Sequence, residues 1–474
     1  MMEVDEMKSQ QFQIHKNKRV RIIWLLLLLF FSVPKFVYAT PYEFSWGSPD
    51  IIVGYIGYPY FNDFPNNADF SNGDNNVTAL AVGFYARGSA TLESGTIREI
   101  YHSGMPIEEV GVGGPGVFTQ TGGNNLPYQL VVGYYPLGAY LTNQYGLSAG
   151  WGSPGIYNLK GGNLTVGQGY ENIGLYGVGT FNQTGGTHST LQLELGYYAG
   201  SNGTYTISNG KLVATQYSDI GTSGTGSFIQ SGGTVKIGIN SGDYGLYLAD
   251  NAGSNGAYTL KGGSLTANSE SIGENGTGTF KQSGGTNHVG AGGLILADDT
   301  GGTGTYVLKG GSLSAISETI GVTGTADPLR AAPGKGTFIQ SGGTNEVGTL
   351  IVGSGSINAI GSSGTYDLKG GTLTANSETA GVSGTGTFKQ SGGTNQVGAL
   401  GLAIGVNAGS NGTYKLENGT LNNLGLESVG VSGTGKFEQN FGTNATDFLS
   451  LGINGGSKGS YDLKGGILTV GTGL

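Results

Sequence analysis

The 474-residue chain has no cysteine, so neither a disulfide framework nor thiol chemistry is available to it. Histidine is nearly as scarce, at four residues, and three of them, His102, His188 and His288, lie beyond the N-terminal leader. A Ser, His and Asp constellation cannot be argued from members so scattered. His288 in particular is replaced at the equivalent place of other repeats by Glu346, Gln396 and Ala445, and it reads as a solvated side chain. Basic charge is also thin: 22 Lys+Arg stand against 31 Asp+Glu. That balance leaves no electrostatic footprint for nucleic acid or anionic lipid.

Long apolar runs are missing after the first 33 residues. Before that point, Lys16, Lys18, Arg19 and Arg21 precede the apolar stretch Ile22 to Val33, and Val37-Tyr38-Ala39 follows as a small-residue cleavage site. The pattern predicts a secretory signal peptide over 1–39 and an exported mature chain. Its core is short for a membrane span. Removing it leaves 16 basic against 28 acidic side chains, a net charge of −12.

Helix-compatible composition is the last absence, since 95 glycines are interspersed with Thr, Val, Ile, Tyr and Phe. What the chain has instead is a two-part repeat. Segments with Tyr at 157, 205, 258, 306, 366, 414 and 461 alternate with segments with Phe at 118, 181, 228, 280, 338, 388 and 437, and a degenerate copy stands at Ala90. Tyr366 to Phe388 is 22 residues and Phe388 to Tyr414 is 26, which fits one coil of a parallel β-solenoid made of about three short strands.

Within each unit the period is 2. The aromatic residue and the Leu or Gln two residues on point inward, and the variable residue between them, such as Asp367 or Lys389, faces water. Leu164, Leu212, Leu265, Leu313, Leu373, Leu421 and Leu468 form a second inward column, and Ile173, Ile220, Ile272, Ile320 and Val429 a third. The Phe units place Gln120, Gln183, Gln230, Gln282, Gln340, Gln390 and Gln439 inward. Those amides are expected to bond turn backbone and fix coil register rather than to perform chemistry. The glycine pairs read as turn positions needing positive φ or close backbone approach.

The aromatic-rich stretch within 40–75 predicts an N-terminal cap, and 76–474 is then an all-β solenoid of about 15 to 16 coils, roughly 75 Å long at ~4.8 Å per coil. ADPLRAAPGK, residues 326–335, lengthens one step to 32 residues and reads as a side loop. The chain stops at Gly473-Leu474 inside a Tyr unit, without a C-terminal cap. The expectation is a truncated reading frame, with self-association possible at the open coil.

The units GTFKQSGGTN, residues 278–287 and 386–395, and GTYDLKGGTLTANSE, residues 364–378, resemble the repeats of large secreted bacterial surface proteins: autotransporter passengers and repeat-rich exported proteins with a PEP-CTERM-type sorting signal. The resemblance covers residues 76 to 474. It implies a right-handed parallel β-helix displayed outside the cell, in adhesion or biofilm matrix, with no catalytic residues. Two features of that group are missing: no membrane β-barrel follows the repeats, and no hydrophobic sorting helix with a basic tail. Membrane attachment would therefore depend on a separate or missing anchor.

Two outward columns invite a functional reading. Glu108, Glu171, Glu270, Glu318, Glu378 and Glu427 each stand three residues before a glycine, with Asp219 beside Ser218 where one unit departs. Same-type units are two coils apart, about 9.6 Å, too far to share one Ca²⁺ without intervening groups. A solvated column is the expectation, with no metal or cofactor assigned. The other column is aromatic: Tyr55, Phe84, Tyr85, Tyr134, Tyr135, Tyr197 and Tyr198 follow inward strands at coil spacing. Such a ladder could stack sugar rings or dock a host or matrix protein, or it could simply cover the early coils. Carboxylates clustered on one strand face, as a sugar-cleaving β-helix needs, are not evident, and the adjacent Asp298-Asp299 reads as a turn. The reading is a non-enzymatic surface adhesin, stalk or matrix scaffold. Its alternative is a polysaccharide-binding or polysaccharide-cleaving β-helix.

Overall fold

A computed structural model describes residues 51–53 and 66–471, with breaks at 71–72, 78–79, 85–86, 100–106, 113, 135–153, 168–169, 240–243, 299–300, 323–333 and 356–361. The leader 1–39, most of the cap 40–75 and nearly all of the side loop 326–335 lie outside the described residues. Every strand pairing among the described residues is parallel and none of those residues is helical, so the chain is a parallel β-solenoid.

The Tyr and Phe segments supply one strand per coil to a 16-stranded sheet whose members pair in sequence order. Register is kept residue for residue: Tyr306 lies between Phe280 and Phe338, and the glycine two residues before each also aligns. Alternation of buried and partly exposed positions along Thr385–Gln390 and its counterparts follows from the pleat. Because identical positions superpose, fourteen rings from Phe118 to Tyr461 form one internal stack with centroids 4.5–4.9 Å apart. Stacked pairs of this kind contribute roughly 0.5–1.5 kcal/mol each beyond their buried area.

The Leu and Ile columns lie in the core as the spacing predicts, except that Leu468 in the last coil is half-buried. Their strands belong to one 23-stranded sheet, because in many coils the second and third strands run together. Lys211–Ile220 is one strand of this type, and the pairing of Ser264–Ile272 with Thr286–Leu296 shifts register between Ala267 and Ser269. A bulge there turns the chain without ending the ladder.

Glycine marks the two sharpest corners. Gly285 takes φ 70° in the turn after Gln282, and a Cβ on its neighbour Gly284 would lie 2.4 Å from the Lys261 carbonyl oxygen. At the other corner, Gly273 takes φ 74° with Thr303 O 2.1 Å from where a Cβ would stand. Two coils place alanine at this corner, Ala249 at φ 62° and Ala297 at φ 60°. The strands flanking the side loop, Ser312–Ile320 and Lys335–Gln340, keep register with their neighbours, so the insertion leaves the stack intact.

Candidate binding site

The glutamate column is inside the solenoid, which corrects the solvated reading. Glu108, Glu171, Glu270, Glu318 and Glu427 have no exposed surface and Glu378 retains 2%. Period 2 supplies the reason: these residues stand two before the inward Ile or Val, or Ala380 in the coil of Glu378, and share its face. Each meets a polar residue of the next coil, a column that the sequence reading missed. Asn125, Asn287, Asn345, Asn395 and Asn444 donate through Nδ2 to Glu108, Glu270, Glu318, Glu378 and Glu427 at 2.8–3.2 Å. His188 takes the amide's place beside Glu171, with Nε2 2.9 Å from the carboxylate.

The same Asn Nδ2 reaches the tyrosine hydroxyl of the following coil at 3.0–3.3 Å, and each Tyr hydroxyl donates to a Gln Oε1. Gln Nε2 in turn bonds a glycine carbonyl three residues on and a carbonyl of the adjacent coil, as Gln282 does to Gly285 and Ser312 at 3.3 and 2.9 Å. The amides fix register through turn backbone, as expected from sequence. Where Ser218 replaces the acid, Val235 replaces the amide, so the pair is exchanged together. Burial pushes Glu270, Glu318 and Glu378 up to about 8, although the Asn hydrogen bond opposes the shift. This network is structural and closed to ligands by its burial, although one oxygen of each glutamate and the Oδ1 of each paired asparagine find no donor within it.

Chemistry on the outer face is concentrated elsewhere. The strands Tyr170–Ile173, Thr187–Leu195, Lys211–Ile220, Leu246–Leu248 and Ser264–Ile272 bring Asn172, Glu194, Asp219, Tyr247 and Ser271 into one column, in register. Asp219 is thus no substitute for the glutamate column, because it points away from the core while Ser218 points in. Glu194 likewise lies between the buried Leu193 and Leu195. Although outward, Asn172, Glu194, Asp219 and Ser271 keep only 4–7% exposure. Neighbouring side chains fence them. On one side stand Tyr170, Gln192 and Tyr217, which share a register row; on the other are Tyr197, Thr222 and Asp250 near the corner.

The tyrosines contact one another across coils. Tyr217 is edge-on to Tyr244 and Tyr247 at 6.4 and 6.5 Å, and Tyr176 stacks on Tyr198 at 4.0 Å. Tyr170, Tyr198 and Tyr244 are 52%, 40% and 65% exposed. Tyr217 donates to Glu194 Oε1 at 3.1 Å, whereas Glu194 Oε2, Asp219 Oδ1, Asn172 Oδ1 and Ser271 Oγ are buried without a partner. Burial pushes Glu194 up to about 7, the Tyr217 bond opposing and Asp250 adding to the rise. Asp219 is raised by burial and then by Asp250, with the Thr222 hydroxyl opposing the rise and Glu194 and Glu274 adding to it. Among the described residues no three His, Asp or Glu side chains converge closely enough to hold a metal ion.

Of the predicted aromatic ladder, Tyr197 and Tyr198 join this patch. Tyr55, Tyr85 and Tyr135 lie outside the described residues, and for Phe84 and Tyr134 only the strand positions are described. His288 is exposed as expected, on Ser314 Oγ at 2.8 Å. Glu194, Tyr170 and Tyr217 were missed. The available signal was parity: Glu194 and Asp219 stand two residues before their corner glycines, one step off the inward glutamates. A shallow depression of about 430 Å³ elsewhere, over Ser314, Thr344, Glu346 and Thr374, is lined without any aromatic ring. Compared with known proteins, the chain matches no family model, no curated protein and no solved structure.

Proposed function

We propose that this chain is an exported, non-enzymatic surface β-helix that serves as a stalk or adhesion scaffold. It would meet its partner through the tyrosine-fenced face of the coils between Tyr170 and Ser271. The observation that carries this reading is the contrast between a repeated core closed to solvent and one outer patch that gathers exposed rings beside nearly buried, outward-facing acids. A repetitive core supplies rigidity and reach, and a local departure from the repeat on the outside supplies contact. Adherence of cells or matrix to the immobilised mature chain tests it. Changing Tyr170, Tyr198 and Tyr244 together to Ser should abolish adherence with the melting temperature unchanged; adherence that survives refutes the assignment.

One observation favours the polysaccharide-cleaving alternative: Glu194 and Asp219 are carboxylates on adjacent coils. The strand spacing of about 4.8 Å is close to the ~5–5.5 Å used by retaining glycosidases. Release of reducing ends from bacterial or plant polysaccharides, absent in a protein-free control, would overturn the non-enzymatic reading.

A further inference from the structure

Asn172 Oδ1, Glu194 Oε2 and Asp219 Oδ1 are three acceptors on three successive coils, each almost buried, each without a donor. Polar atoms so placed are costly unless a donor arrives from outside. Glu194, Asp219 and Asp250 form no ion pair with a basic side chain among the described residues. An ammonium group answers both deficits at once, since it brings several N–H donors and the missing positive charge. A neutral polyol brings donors only.

The walls add a second requirement. Tyr170 and Tyr217 on one side and Tyr197 and Tyr198 on the other present ring area that suits a flat, partly apolar ligand, and aromatic faces attract cations as well. The acceptors recur on successive coils and the rings Tyr170 and Tyr217 stand two coils apart in one row, so a linear polymer that carries amines and rings along its length matches the surface better than a single small cation does.

We propose that the column Asn172–Glu194–Asp219, between its tyrosine walls, binds an amino-sugar glycan through the protonated amine, with the sugar ring against the tyrosines. This deepens the adhesion reading and rests on the same face. Tyr217 and Asp250 are the titratable groups acting on Glu194, and Asp250, Glu194 and Glu274 those acting on Asp219. Burial first, and the neighbouring like charge of Asp250 second, keep these carboxyls partly protonated without ligand, so binding of the cation releases protons and strengthens as pH rises toward neutrality.

The experiment is calorimetric titration of the mature chain with a glucosamine oligomer and with the fully N-acetylated oligomer of the same length. The free-amine oligomer should bind at least about tenfold more tightly than the acetylated one near pH 7, and more weakly near pH 5. The double variant Glu194→Gln, Asp219→Asn should lose that preference while keeping its melting temperature, because both replacements resemble the neutral carboxyls they remove. Equal binding of the two oligomers, or undiminished binding by the folded double variant, would overturn the proposal. So would spermidine or a lysine peptide binding as tightly as the oligomer. Absence of binding by the wild-type chain also overturns it, yet leaves the adhesion reading standing, since adherence and its loss in the tyrosine variants are measured independently.

Discussion

The coils between Tyr170 and Ser271 and those between Ser312 and Ser428 share one interior and differ on one outer column. In register, Asn172, Glu194, Asp219, Tyr247 and Ser271 continue into Ile295, Thr319, Ile351, Thr379, Ala403 and Ser428. Inside, Phe, Tyr, Gln and Leu recur in both regions with nearly constant geometry. A side chain that stacks on its own equivalents is constrained by both neighbours, so a change must be matched in adjacent coils, as Ser218 and Val235 illustrate. Outward residues answer to no such rule. The acids and tyrosines of the earlier region are therefore free to serve a ligand, and the hydroxyls and aliphatics of the later region are the unadorned state of the same scaffold.

The sharpest way to test that constraint is to break one interior position. Leu368 is fully buried beside Gln340 and Gln390, and Leu368→Asp should cost several kcal/mol, because an unpaired charge would replace a core side chain. Its half-buried neighbour Asp367, which pairs with Lys369 at 3.2 Å, should tolerate Asn with a loss of less than about 1 kcal/mol. Chemical denaturation of the two variants reads the difference, and equal losses would mean that the strand faces are reversed.

A smaller but broader effect should come from the buried acids. Glu270, Glu318 and Glu378 titrate near 8 when folded against an ordinary value of 4.5. Their folded pKa is raised, so their contribution is fully present below about pH 4.5 and is lost as pH rises toward 8. The solenoid should melt higher near pH 5 than near pH 8. Glu318→Gln should reduce that slope and recover up to a few kcal/mol at the alkaline end. A pH-independent melting temperature in the wild-type chain would show that these carboxylates are solvated.

How far the sequence speaks depends on which rule governs a residue. The ring stack, the Leu column and the amide register were legible because each repeats in type and spacing. The burial of Glu108, Glu270 and their equivalents was legible too, through their two-residue offset from Ile or Val, but the rarity of buried acids outweighed parity. Their Asn partners sit on the next coil, 17 residues on for Asn287 and 27 for Asn345, and such pairing across variable loops is visible only once the coils are stacked. The outer patch was least legible, because Glu194, Asp219 and Tyr217 belong to no repeated motif and are joined only by register.

The tyrosine walls should matter little to folding. Tyr170→Ser, at a position that is half exposed, removes apolar contact without opening a core cavity, so a loss within about 1 kcal/mol is expected. Thermal melting checks this, and a fall of many degrees would show that the rings are a lid over the early coils rather than a surface for a partner.

The smallest effect should be a gain. Ala249 and Ala297 occupy the corner where other coils place glycine at positive φ, and Ala249 immediately precedes Asp250 of the acidic region. A left-handed alanine costs roughly 1–2 kcal/mol against the preferred backbone, part of which glycine returns as greater unfolded-state entropy. Ala249→Gly should therefore stabilise the coil by about 1 kcal/mol or less. The reverse change in the same corner, Gly273→Ala, should destabilise it, because a Cβ there would stand 2.1 Å from the Thr303 carbonyl oxygen. If the alanine serves only the fold, the Ala249→Gly variant should bind its partner unchanged. If the strained corner instead aims Asp250 at the tyrosine-fenced column, the more stable variant should bind less well, and that opposition between stability and binding would separate the two regions by function as well as by composition.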